Sequence, residues 1–173
     1  MITTTELMKM HTIYDNTPWF HPVSIKFLSI LLKPNWVIFE TGCGSSTLWF
    51  SDRVKKVVSF EHSKLWYIKV KKIIEDKNIR NIDLRLNPDY PEKGINGFKN
   101  DEFDLISIDG RGRVRSIETV IPFLKSDGYL LLDDSERIRY KRVFELLAEW
   151  EIKIFGKNEK SDQTSIWRKE IKK

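Results

Sequence analysis

Short apolar runs alternate along the chain with stretches whose apolar residues recur every three or four positions, and the alternation repeats five times. Trp36-Val37-Ile38-Phe39-Glu40 is short, apolar and followed by glycines, which predicts a buried strand entering a tight turn. The same reading places strands at residues 57–61, 82–86, 103–109 and 129–133, the last behind a turn at Lys125-Ser126-Asp127-Gly128. Val23, Phe27, Ile30 and Leu31 mark a helix that Lys33-Pro34-Asn35 stops. Ser45 to Asp52 opens the next helix with hydroxyl caps at hand. Trp66, Val70, Ile73 and Ile74 share one face of a helix over 65–77, and further helices are expected at 114–124 and 136–150. Residues up to about 16 show no periodicity and read as an arm or lid, and 87–102 reads as mostly loop. Two strands, near 151–155 and 165–168, close the chain with no helix between them.

Apolar strands alternating with helices predict an α/β fold: a doubly wound, mostly parallel seven-stranded sheet with an antiparallel last strand and helices on both faces. The expected organisation is one domain over 1–173, with an arm at 1–17, an N-terminal helix at 18–33 and the core at 36–170. Ligands of such sheets bind beyond the carboxyl ends of the strands, at the topological switch point. The predicted strand ends are Glu40, Glu61, Asn87, Asp109 and Asp133, four of them acids.

Composition changes this picture little. The 173 residues are 40% apolar and 12% aromatic, enough for a real core. The formal net charge of +5 favours anionic partners without itself showing nucleic-acid binding, which stays open. Cys43 is the only cysteine, so an intrachain disulfide and a cysteine zinc site are excluded. The first residues lack the basic and apolar regions of a signal peptide, and no apolar run is long enough to span a bilayer. A cytoplasmic protein without membrane contact is the expectation. Oligomeric state is not readable.

The chemistry concentrates at the first turn, Glu40-Thr41-Gly42-Cys43-Gly44-Ser45. Glycines there let the backbone turn sharply and approach a ligand, although an ordinary strand-to-helix turn has the same look. A dinucleotide fingerprint wants a third glycine where this chain has Thr47. Glu40, two residues ahead of Gly42, is poorly placed beside a pyrophosphate and suits a ligand bearing an ammonium and a sulfonium. Glu61, 21 residues after Glu40, is placed to accept hydrogen bonds from ribose hydroxyls.

Four stretches in order resemble the motifs of class I S-adenosylmethionine (SAM) dependent methyltransferases: Phe39 to Thr47, Ser59-Phe60-Glu61-His62, Phe103 to Gly110, and Asp127 to Asp134. The resemblance spans 36–170. It implies that Gly42, Cys43, Gly44, Ser45, Ser46 and Thr47 form the turn that admits the methionine part of SAM. It also implies that Glu40 supports the amino group, that Glu61 holds the ribose with His62 beside the adenosine, and that Asp109 lies near the methyl. The adenine side is less marked, since Asn87-Pro88-Asp89-Tyr90 replaces the common Gly-Asp pair.

The expected activity is methyl transfer to a small-molecule acceptor. Asp109 or Asp133 would be the general base if the acceptor is a hydroxyl. In catechol-type relatives, acids after the fourth and fifth strands bind Mg2+, and Asp109, Asp133 and Asp134 offer oxygens of that kind. Two departures count against it: Asp109-Gly110-Arg111-Gly112-Arg113 replaces Asp-Gly-x-His, and no asparagine accompanies Asp133-Asp134. No residue is therefore assigned as a metal ligand. Arg111, Arg113 and Arg115 would either neutralise those acids or clamp an anionic group of the acceptor, and Asp133-Asp134 would otherwise cap the next helix. His11, Tyr14, Trp19, Phe20 and His21 either cover the acceptor pocket or pack the first helix. Cys43, with no partner histidine evident, is not expected to act as a nucleophile. Two other readings stay open: a non-catalytic nucleotide- or RNA-binding module of the same fold, and a nicotinamide-dependent oxidoreductase.

Overall fold

The computed structural model describes residues 17–89, 94–156 and 163–170. Seven strands form one sheet: β1 (Val37–Thr41), β2 (Lys56–Glu61), β3 (Ile82–Leu86), β4 (Phe103–Ile108), β5 (Leu124–Leu132), β6 (Glu151–Phe155) and β7 (Thr164–Arg168). Their order is β3-β2-β1-β4-β5-β7-β6. β1 to β5 are parallel, and β7 runs antiparallel between β5 and β6. The helices are α1 (Pro22–Leu31), α2 (Ser45–Ser51), α3 (Lys64–Asp76), α4 (Arg113–Val120) and α5 (Lys141–Leu146). This is the doubly wound, mostly parallel sheet expected, with helices on both faces.

Two apolar layers sandwich the sheet. Ile38, Val57, Leu105, Leu131 and Ile166 project to the side of α1 and α2, where they meet Leu28, Trp49 and Phe50. Phe39, Val58, Ile106, Leu130 and Leu132 project to the other side, against Ile117 and Val120 of α4 and Val143 of α5. Period-2 alternation of fully buried residues on both faces is why the strands read as continuous apolar runs. The winding reverses between β1 and β4, so their carboxyl ends define the switch point.

Four expectations change. Of the face expected for the first helix, Phe27 and Leu31 pack against the core, but Val23 and Ile30 are 53% and 87% exposed and Ser24 and Leu28 are the buried residues. His21 fixes that rotation. Its Nδ1 accepts from Val23 N at the helix start, and its own N–H donates to Thr164 Oγ1 of β7 at 3.0 Å. Ile30→Lys is accordingly expected to change unfolding free energy by less than about 0.5 kcal/mol in a denaturant titration.

Lys125-Ser126-Asp127-Gly128 is not a turn ahead of β5 but an irregularity within it. Leu124 pairs with Phe103 and Tyr129 with Leu105, so the intervening residues bulge out, with Asp127 at φ +69°. The helix expected at 114–124 starts at Arg113 and ends at Val120, before a 3-10 turn containing Pro122. The helix expected from residue 136 begins only at Lys141, after a 3-10 turn at Ile138–Tyr140. Asp133 and Asp134 therefore do not cap it.

Candidate active site

The site grows out of the way β1 ends. Glu40 is fully buried and lies in register between Ser59 of β2 and Ser107 of β4. Its carboxyl accepts from Ser46 Oγ, Thr47 Oγ1 and Ser59 Oγ. Thr47 Oγ1 in turn accepts from Gly44 N at 2.9 Å. The residue standing where a third glycine would be thus braces the turn from below. Burial pushes the Glu40 carboxyl up to about 7, against the three hydroxyl donors that lower it.

Above this brace the chain turns at Gly42, φ +86°. A Cβ there would lie 2.8 Å from Gly110 N, so the β1 and β4 turns touch main chain to main chain. Glu61 secures the turn from β2. Its Oε2 accepts from Cys43 N at 3.0 Å and its Oε1 from Ser63 N at 2.6 Å, with His62 Nδ1 2.9 Å from Oε1. A carboxylate has about four acceptor sites, so these two main-chain hydrogen bonds leave Glu61 roughly two for a ligand. Trp66 of α3 donates its indole N–H to Cys43 O, and Lys69 lies 5.8 Å from its ring centroid. Cys43 is buried, and burial with the neighbouring Glu61 and Glu40 holds its thiol well above the ordinary range. A thiol held in that form is a poor nucleophile.

The opposite wall is built by the ends of β4 and β5. Arg113, 7% exposed, turns inward. Its Nη2 donates to Asp109 Oδ1 at 2.7 Å, Asp109 O at 2.9 Å and Asp134 Oδ2 at 3.1 Å. Its Nε donates to Gly110 O at 3.1 Å and its Nη1 to Asp133 O. Arg137 adds a second guanidinium on Asp134, 2.6 Å away. Asp133 points elsewhere: its Oδ1 accepts from Thr164 Oγ1 at 2.8 Å. Burial, then the charge of Asp109, pushes the Asp133 carboxyl up to about 8. Of the three arginines grouped in the sequence, Arg113 neutralises acids of this wall. Arg111 and Arg115 lie on the cleft wall.

A cleft of about 1410 Å³ opens between the walls at the β1/β4 switch point. Of the residues expected there, Gly42, Cys43, Gly44, Ser45, Ser46, Glu61, His62, Asp109 and Asp133 line it. Glu40 and Thr47 do not reach it and act on the turn from beneath. Trp19 lines the cleft, its ring 6.4 Å from that of Trp66. Phe20 packs in the core and His21 caps α1, so the aromatic stretch divides between the two roles considered for it. His11 and Tyr14 lie outside the described residues. Trp66, Lys69, Arg137, Arg139 and Tyr140 also line the cleft and were not anticipated. The spacing Arg137-x-Arg139 just after Asp133-Asp134 was the available signal for the last group.

Asp109, Asp133 and Asp134 bring side-chain oxygens within 4.8 Å of one another, a spacing suited to a hard cation. The Arg113 guanidinium already ties two of those carboxylates and the main chain of the third residue. The group therefore does not fit a divalent ion. Among the described residues, no helix is long and apolar enough to cross a membrane.

No family model and no curated protein matches the chain. Solved structures do. A methyltransferase from Geobacter sulfurreducens aligns over 96% of this chain and 90% of its own, with a TM-score of 0.69 at 14% identity. An rRNA methylase from Streptococcus thermophilus aligns over 87% and 95%, with a TM-score of 0.67 at 13% identity. TYW2 of M. jannaschii, solved in complex with AdoMet, aligns over 84% and 73%, with a TM-score of 0.61 at 14% identity. The strand order, the antiparallel β7 and these likenesses agree: the chain has the fold of class I SAM-dependent methyltransferases.

Proposed function

We propose that this protein transfers a methyl group from SAM to a small anionic acceptor. The observation that carries the reading is Gly44. Its backbone is extended (φ 172°), and a Cβ on it would meet nothing nearer than Trp66 Nε1 at 3.7 Å. The protein's own packing does not require glycine there, whereas a ligand resting on the turn does. Gly42, Cys43, Gly44 and Ser45 would run along the methionine part, Glu61 would take the ribose hydroxyls, and His62 would lie beside the adenosine. Asp109 would stand near the transferred methyl. SAM supplies an electrophilic methyl on a sulfonium when bound. What the chain contributes is alignment and the handling of one proton.

Asp133 is the better base of the two acids considered. Asp109 is committed to Arg113, while Asp133 lines the cleft with its carboxyl held by the single donor Thr164. Poised near pH 8, its carboxylate can take the proton that a hydroxyl or amine acceptor loses on methylation. Six basic side chains against four acidic ones line the cleft, with Arg111, Arg115 and Arg139 on the acceptor side. That excess favours a carboxylate or phosphate on the acceptor.

Calorimetry tests this directly. SAM and its demethylated product are expected to bind with a one-to-one stoichiometry and NAD not to bind. NAD binding without SAM binding would reverse the assignment. SAM binding with no methylated product from carboxylate or phosphate acceptors, but retention of RNA, would favour the binding-module reading that the basic wall also supports.

A further inference from the structure

We propose that Arg113 is the resident cation of the acidic cluster at the ends of β4 and β5, standing where an oxygen-liganded divalent ion would otherwise sit. The occupancy of the cluster does not depend on the cleft taking SAM; the consequence for Asp133 and the acceptor rests on the proposed function. Asp109, Asp133 and Asp134 have the donor type and spacing of a hard-cation site. The Arg113 guanidinium enters that cluster from the first turn of α4 and spreads over both strand ends. It reaches Asp109 Oδ1, Asp134 Oδ2 and the carbonyls of Asp109, Gly110 and Asp133. A planar fork with five N–H groups can satisfy such a set.

Buried as it is, the guanidinium would confront any dication on the same carboxylates with a like charge at close range. Arg137, 2.6 Å from Asp134, deepens that opposition. The two strand ends are therefore held together by covalently attached charge at any metal concentration. Asp133 keeps its own carboxyl for Thr164 and the cleft. Arg113 is thus a positioning residue: it fixes the frame in which Asp133 acts. Orientation of the acceptor here is independent of divalent metal.

The test uses Mn2+ as probe on the full chain, with free Mn2+ followed by electron paramagnetic resonance. The native protein is expected to show no saturable site. Arg113→Ala is expected to gain one, at least tenfold tighter than any residual native binding, that Asp109→Asn in the same background removes. Low concentrations of guanidinium should compete with Mn2+ for it, since both would fill the same place. A purely structural loss at Arg113 would produce neither the gained site nor the competition. A saturable Mn2+ site in the native chain that Asp134→Asn abolishes overturns the proposal, as does a folded Arg113→Ala that gains no site. Should Arg113→Ala not fold, the native chain decides: a thermal midpoint unmoved by EDTA or added Mg2+ supports the inference, and a shift with either overturns it.

Discussion

Alanine at Gly42 is expected to cripple the fold, whereas alanine at Gly44 is expected to leave the fold intact and weaken ligand binding at least tenfold. The two glycines are two residues apart and look alike in the sequence, but the structure separates them. Gly42 sits at φ +86°, where an L-residue carries a penalty of about 1–2 kcal/mol. Its Cβ would also fall 2.8 Å from Gly110 N and 3.0 Å from Gly110 Cα, both main-chain atoms in a neighbouring strand turn. Relieving that overlap means separating β1 from β4, which adds roughly 1–3 kcal/mol by analogy with overpacked cores. For a chain of this length a loss of about 2–5 kcal/mol lowers Tm by roughly 5–15 °C. Gly44→Ala meets only a van der Waals contact with Trp66 and should stay within about 0.5 kcal/mol of the native chain. Thermal unfolding ranks the two variants, and calorimetry with SAM should find binding weakened at least tenfold in Gly44→Ala. A stable Gly42→Ala would refute the steric account. Unimpaired SAM binding by Gly44→Ala would remove the observation on which the proposed function rests.

That contrast also shows which parts of the molecule were legible in the sequence. Strand identity was readable because apolar runs such as Trp36 to Phe39 and Val57 to Phe60 are buried on both faces, and glycines or acids mark their ends. The cleft followed from the switch-point rule alone. Which way a side chain points is harder. Val23 and Ile30 have helical spacing, yet the rotation of α1 is set by His21 holding Thr164, 143 residues away in the chain. Arg111, Arg113 and Arg115 form one cluster in sequence, but α4 begins at Arg113 and turns only that residue under the strand ends. Glu40 reads as a ligand contact by position. Three hydroxyls from α2 and β2 close over it, an arrangement its position does not announce. The rotation of α1 and the inward turn of Arg113 each involve a partner distant in sequence, Thr164 and Asp133, which local periodicity does not encode.

Asp133→Asn is expected to stabilise the protein at alkaline pH while removing most of its activity. The Asp133 carboxyl is raised from its ordinary 3.8 to about 8, first by burial and then by Asp109. Between those values the folded state holds a proton that the unfolded chain releases, so stability falls as pH rises through that window. Asparagine is nearly isosteric, can still accept from Thr164 Oγ1, and never ionises. The native chain and the variant should therefore be similarly stable near pH 4. Near pH 8.5 the variant should be ahead by roughly 2–4 kcal/mol, since each tenfold change in proton affinity is worth about 1.36 kcal/mol and the interaction with Asp109 spreads the effect. Glu40, raised to about 7, imposes a loss of the same sign on both proteins and cancels in the comparison. Urea titrations of the two proteins at both pH values measure the difference. Activity should move oppositely. The native rate is expected to climb toward pH 8 as Asp133 loses its proton, and Asp133→Asn to fall by about 10²-fold or more with that climb abolished. If stability converges at pH 8.5, the carboxyl is not strained by burial. If the variant keeps both its rate and its pH profile, the acceptor's proton leaves by another route. Both effects come from one buried acid at the cleft wall, whose proton affinity is raised at a cost in stability so that its carboxylate can take a proton when the methyl is transferred.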